Sequence, residues 1–218
     1  DGTVTVWRPP VPRTVALLLV GPIALVAFAS MAVVFRAWQW AVLRDFSGAQ
    51  ADVAPTSAMW FNFAYMDYQE SVVIVNKFVM PLLRGSRLAN LYLRFFGADV
   101  AANAFVNSSY FYDPPLLKIG ADTVIDDKSV NVGHVLENGR LVFSEKHVGR
   151  GAILHPLSIT WAGDSVPTDV ILGPRGQLGR DASSDYAPGT YLQGCPAQDF
   201  TLDYSNALKM SRSVGPPC

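Results

Sequence analysis

Three histidines, His134, His147 and His155, are the residues of this 218-residue chain best suited to move a proton near neutral pH, because a free imidazole titrates near pH 6.5. Glu137 follows His134 by three residues, close enough for its carboxylate to hold the ring in one tautomer. An imidazole held that way can take a proton from an amine or a hydroxyl, which is the general-base step of acyl transfer. The bland alternative for His134 is a polar loop residue bonded to backbone, and His147 and His155 read as corner residues pointing outward. The histidines are 13 and 8 residues apart, so the close pair of a three-His zinc centre is missing and no metal is expected. There is no Ser-His-Asp order, Walker loop or strand–GxGxxG–helix unit, and Gly173-Pro-Arg-Gly176 reads as a turn rather than a phosphate cradle. Cys195 and Cys218 are not in a CxxC, and their bonding state stays open.

The elements that must position His134 are written in sixes. From Val148 to Gly179 the first place of each six is Val148, Leu154, Thr160, Val166, Leu172 and Leu178, and the fifth is mostly small: Ala152, Ser158, Val170, Gly176. This period fits neither the 3.6-residue helix nor simple strand alternation. It fits a parallel β-helix, in which each six supplies one short strand and one corner. Gly149, Gly173 and Gly179 in second place suit corners that strain a residue carrying Cβ. The register recurs in Ile119-Gly-Ala-Asp-Thr-Val, in Ile125-Asp-Asp-Lys-Ser-Val and in Phe96-Gly-Ala-Asp-Val-Ala. From Ile125 to Val148 the count falls one short of four sixes, so a loop over 131–147 interrupts the coil and carries His134.

Half of the residues are hydrophobic, 16% are charged, and the net charge is -1. That balance excludes an electrostatic footprint for nucleic acid. Residues 1–44 read as a Pro-rich lead and a transmembrane helix. Thr14 to Phe35 is free of charge, long enough at about 1.5 Å per residue for a hydrocarbon core of about 30 Å, and flanked by Trp7, Trp38 and Trp40. Residues 45–90 give a linker and amphipathic helices: Trp60–Leu83 carries Asp67, Glu70 and Lys77, which suits a helix lying on a membrane surface or covering the open end of the coil. Arg84, Arg87 and Arg94 read either as a basic face near headgroups or as a solvated helix face. The β-helix occupies 91–197 and a patternless tail 198–218. The fold class is therefore mainly β, a parallel β-helix preceded by a transmembrane helix and membrane-surface helices. The chain begins with Asp, so it reads as processed or incomplete.

Several runs resemble a repeated C-terminal module of polylysine-synthetase-type non-ribosomal peptide synthetases and hexapeptide acyltransferases. They are Leu91-Tyr-Leu-Arg-Phe-Phe-Gly-Ala-Asp-Val100, Asp113 before Leu117-Lys-Ile-Gly120, His134-Val-Leu-Glu137 with Arg140, Val148-Gly-Arg-Gly-Ala, Pro156-Leu-Ser158, and Gly189 to Ala197. The resemblance covers roughly Trp60 to Ala197. It implies left-handedness, and it matches His134 and Glu137 to a His-x-x-Glu motif. Asn138-Gly139 stands where the family has one acidic residue before the Arg, which weakens any role carried over to Arg140. Two functions follow. The first is a membrane-anchored accessory or structural subunit of a larger membrane complex, non-catalytic and without cofactor. Its partners are the lipid bilayer and other subunits, in a thylakoid or mitochondrial inner membrane. The second is an acyl or aminoacyl transferase with His134 as general base and coenzyme A or a carrier-bound thioester as donor. A homotrimer suits the flat coil faces.

Overall fold

The computed structural model describes residues 13–42, 59–137, 140–178 and 186–205. The Pro-rich lead, the linker over 45–55, Asn138-Gly139, Cys218 and most of the tail fall outside these residues. Three helices come first: α1 (Arg13–Val42), α2 (Met59–Leu83) and α3 (Arg87–Phe95). The chain then winds into successive coils. The first holds β1 (Asp99–Val100), β2 (Phe105–Val106) and β3 (Tyr110–Phe111). A 3-10 turn at Pro114–Leu116 leads to β4 (Leu117–Ile119), β5 (Val124–Ile125) and β6 (Val130–Asn131). The hairpin β7 (His134–Glu137) and β8 (Arg140–Phe143) is inserted next. The winding resumes with β9 (Lys146–Val148), β10 (Ile153–Leu154) and β11 (Ile159–Thr160), then β12 (Ser165–Val166) and β13 (Ile171–Leu172). It ends in β14 (Tyr191–Gly194) and β15 (Ala197–Asp199).

Strands of successive coils pair in parallel on three faces, ordered β1-β4-β9-β12, β2-β5-β10-β13-β14 and β3-β6-β11. This is a parallel β-helix. Where no insertion intervenes the stacking offset is three sixes, as in Ile153↔Ile171 and His147↔Ser165. First-place residues point inward: Val148, Leu154, Val166, Leu172 and Leu178 are all essentially buried. The fifth places Ala152, Ser158 and Val170 are buried beside them. Small residues are needed there because the triangular bore narrows toward its corners.

The glycines do something other than expected. Gly120 and Gly149 are not at positive φ. A Cβ on Gly149 would lie 2.6 Å from Thr168 N and 2.7 Å from Pro167 C, and one on Gly120 2.7 Å from Arg150 N. They allow close approach of one coil to the next. Left-handed backbone is used elsewhere, at stacked corners occupied by Asp122, Gly151, Asp169 and Gly189 on one edge and by Lys128, Leu157 and Arg175 on another.

α3 covers the first coil. Ser86 caps its N-terminus, Ala89 and Leu93 are buried, and the Asn90 amide donates to the carbonyls of Ala101, Ala102 and Ala104. Arg94 Nε donates to Val100 O at 2.6 Å, and Arg84 pairs with Asp127 at 2.7 Å, so these two arginines serve contacts within the fold. α2 lies over β3, the open edge of its sheet, where Asn76 Nδ2 donates to Phe111 O at 2.8 Å.

The single-pass, integral membrane placement in an organelle is corrected. Among the described residues no helix is long and apolar enough to cross a membrane. α1 forms over the expected stretch, but freedom from charge is a weaker condition than a continuous hydrocarbon-like surface. Gly21, Pro22 and Ser30 interrupt its apolar run, and the helix packs against α2. Toward its C-terminal end Arg36 Nη1 lies 3.4 Å from where a Cβ would sit on Gly97, just after α3.

Candidate active site

The hairpin β7–β8 leaves the coil at Gly133 and returns at Lys146, so the first residue of β7, His134, stands at the coil wall. His134 pairs with Phe143 across the hairpin, and Phe143 is buried. This fixes the imidazole at the base of the insertion, with 19% of its side chain exposed. Its Nδ1 lies 2.7 Å from Asp113 Oδ2. The Asp113 side chain has no exposed surface, and the same Oδ2 accepts the Gly133 N–H at 2.7 Å. A carboxylate taken out of water needs such partners, and charge-assisted hydrogen bonds are the strong kind. Stacking explains the meeting. Tyr110↔Val130 and Phe111↔Asn131 set an offset that places Asp113 against Gly133. A Cβ on Gly133 would lie 2.9 Å from Asp113 Cβ and Leu116 Cδ1, so glycine is required for the approach.

With Nδ1–H donated to the carboxylate, the neutral ring carries its lone pair on Nε2, which faces the Gln69 carboxamide of α2 at 3.3 Å. That is the tautomer a general base needs. Below the pair, a cavity of about 10 Å³ is bounded by Asp113, Asn131, Gly133 and Lys146. Lys146 is wholly buried and its Nζ donates to Thr160 O at 2.5 Å. Burial pushes its ammonium down to about 7, with the charges of Asp164 and Asp113 opposing the shift. Asp164 stacks one coil beyond Lys146, as the pairing of their neighbours Ser165↔His147 requires. Thr160, Asn131, Ser129 and Ser158 continue this buried polar lane.

The other expected residues are elsewhere. Glu137 pairs with Arg140 at the far end of the hairpin from His134, and its side chain is outside the described residues. The carboxylate found on His134 is that of Asp113. His147 points outward from β9, half exposed, with Nε2 3.3 Å from Glu145 Oε2. Glu145 is held below the usual carboxylate range, chiefly by its hydrogen bond from Lys118 at 2.6 Å. His155 follows β10, and the three histidines do not converge. Among the described residues no group of three His, Cys, Asp or Glu could hold a metal ion. Cys195 is an exposed free thiol whose Sγ lies 3.0 Å from Gln177 Oε1.

Asp113, Lys146 and Gln69 are the functional candidates the residue patterns did not single out. Two signals were present. A coil repeat of about three sixes carries Asp113 onto Gly133. The fifth-place register, small at Ala152 and Ser158, carries a lysine at 146.

No family model matches this chain, and no curated protein matches it. Among solved structures it is similar to a maltose O-acetyltransferase from Clostridium difficile 630. The two are 14% identical with a TM-score of 0.45, over 71% of this chain and 92% of that one. A likeness at this level gives no residue correspondence.

Proposed function

We propose that the chain is an acyl transferase of the hexapeptide type, wound as the left-handed coil that its motif resemblance implies, with His134 as general base. Asp113 is the positioning residue that holds the base, in place of Glu137. The observation that carries this reading is the wholly buried Asp113 carboxylate 2.7 Å from His134 Nδ1, which leaves Nε2 as the acceptor nitrogen. In the reaction, Nε2 takes the proton of an amine or hydroxyl acceptor as that atom attacks a thioester carbonyl. The new C–N or C–O bond forms, the C–S bond breaks, and the proton passes from the imidazolium to the departing thiolate. Asp113 stabilises the imidazolium in between. The donor is an acyl-coenzyme A or a carrier-bound thioester. A silent accessory subunit has no use for a desolvated carboxylate aimed at a ring nitrogen, since burying that charge costs free energy that an apolar core would not.

The test is thiol release from acetyl-coenzyme A in the presence of a panel of sugar and amine acceptors. Acceptor-dependent release is expected from the wild type, with a fall of about 10²-fold or more in His134→Ala. Acceptor-dependent release that survives in His134→Ala to within about threefold would refute the assignment.

A further inference from the structure

A second concave site shares Phe111 and Tyr112 with the small cavity beside Asp113, though neither His134 nor Asp113 lines it. α2 crosses the open edge of β3 and leaves a groove of about 520 Å³, within the range of small-molecule sites. Four charged side chains line it: Lys77 from α2, Arg84 from the turn after it, and Asp127 and Lys128 from the corner after β5. Arg84 and Asp127 pair with each other at 2.7 Å. Lys77 and Lys128 make no ion pair among the described residues. Three cations against one carboxylate leave the groove with two positive charges. Its walls are Val73, Pro81, Tyr110 and Tyr112, and the backbone of Phe111, whose ring is buried in the coil, forms part of its floor.

The floor is fixed: Asn76 is bonded both to Phe111 O, at 2.8 Å, and to the Tyr92 hydroxyl, at 2.7 Å. Lys128 projects from a left-handed corner (φ 57°) that the Ser129 N–H to Asp126 O bond closes. Two lysines held over an aromatic and aliphatic concavity differ from lysines on a convex helix face, because a ligand entering the groove is desolvated on one side and met by charge on the other.

We propose that this groove binds a small organic phosphate, a phosphomonoester whose apolar or aromatic body lies on Val73, Pro81 and the exposed ring of Tyr110. A phosphomonoester carries about -1.5 to -2 at neutral pH, which matches the two surplus charges; a monocarboxylate would leave one unpaired. Tyr110, Tyr112 and Ser109 supply hydroxyls for the remaining phosphate oxygens. The inference is independent of the acyl-transfer reading, and its test does not use turnover.

Phenyl phosphate is titrated into the whole chain by calorimetry, alongside inorganic phosphate and phenol. Saturable binding of phenyl phosphate is expected, at least about tenfold tighter than either fragment. Lys77→Ala and Lys128→Ala are each expected to weaken it about tenfold, the scale of one charge-assisted contact, while Lys77→Arg and His134→Ala bind as the wild type does. Both lysines are exposed, so the alanine variants fold. Absence of saturable binding, or binding that both alanine variants retain, overturns the site. Inorganic phosphate binding as tightly as phenyl phosphate overturns the organic body.

Discussion

Lys146 offers a measurement that separates its buried position from ordinary packing. The side chain is fully enclosed at an inner place where the coil elsewhere carries small residues, and burial lowers its pKa from 10.5 to about 7. The unfolded chain holds the proton that the fold binds poorly. Stability therefore rises with pH between about 7 and 10.5. Below that window both states are protonated and the full cost is present; above it both are neutral and the cost is gone. The gap corresponds to on the order of 5 kcal/mol in total, of which about 2 kcal/mol is recovered between pH 7 and pH 9. In Lys146→Met the chain keeps its length and that pH dependence disappears. Thr160 O loses the Lys146 donor but keeps the Val132 N–H at 3.3 Å. Urea unfolding of both proteins at the two pH values gives the answer. Packing differences are the same at both pH values and cancel. The wild-type midpoint should gain about 1 M on the variant between pH 7 and pH 9, taking a slope of about 2 kcal/mol per M. Parallel midpoints at the two pH values would show that Lys146 remains an ordinary ammonium in the fold, and the reasoning fails.

Two further outcomes test the architecture and the pair. Gly149→Ala forces a Cβ against the backbone of Thr168 and Pro167, a clash between coils costing about 3 kcal/mol; the thermal midpoint should drop by about 6–12 °C, whereas Gly21→Ala, with open space around it, should hold or gain. Asp113→Asn leaves the Gly133 N–H and the His134 ring competing for one carbonyl oxygen. Nitrogen NMR of His134 should show the proton moved from Nδ1 to Nε2, and kcat should fall about 10²-fold with KM little changed; an unmoved tautomer would count against Asp113 as the positioning residue.

The coil was legible because its cause is local. A bore with three walls asks the same question of the chain every six residues, and Val148, Leu154, Val166 and Leu172 give the same answer. The corner glycines were legible as special positions but not in their physics: Gly149 answers to the coil stacked upon it, and no reading of one strand contains the next one. Asp113 was hidden for the same reason. It stands 21 residues from His134, and only the stacking offset brings the two together, whereas Glu137 is near in sequence yet lies at the other end of a hairpin strand. The helix over Thr14–Phe35 was legible from its apolar run, but among the described residues no helix is long and apolar enough to cross a membrane.

The polar lane beside the hairpin then follows from how an insertion is made. A coil can extrude a loop only where its ladder of hydrogen bonds is interrupted, and the freed groups must find other partners. Here Gly133 N–H turns to Asp113 and Ser144 N–H to Gly133 O, while Lys146 adds a second donor to Thr160 O, which already accepts the Val132 N–H. Two of these three contacts use a side chain that can carry charge. Neutral partners would have closed the backbone account as well, as Asn76 does at Phe111 O. Choosing Asp113 and Lys146 instead places a carboxylate and an amine in the buried polar lane of Asn131, Thr160 and Asp164, next to His134. Stability alone disfavours that choice by the desolvation cost worked out for Lys146, and proton transfer at His134 gives it a use.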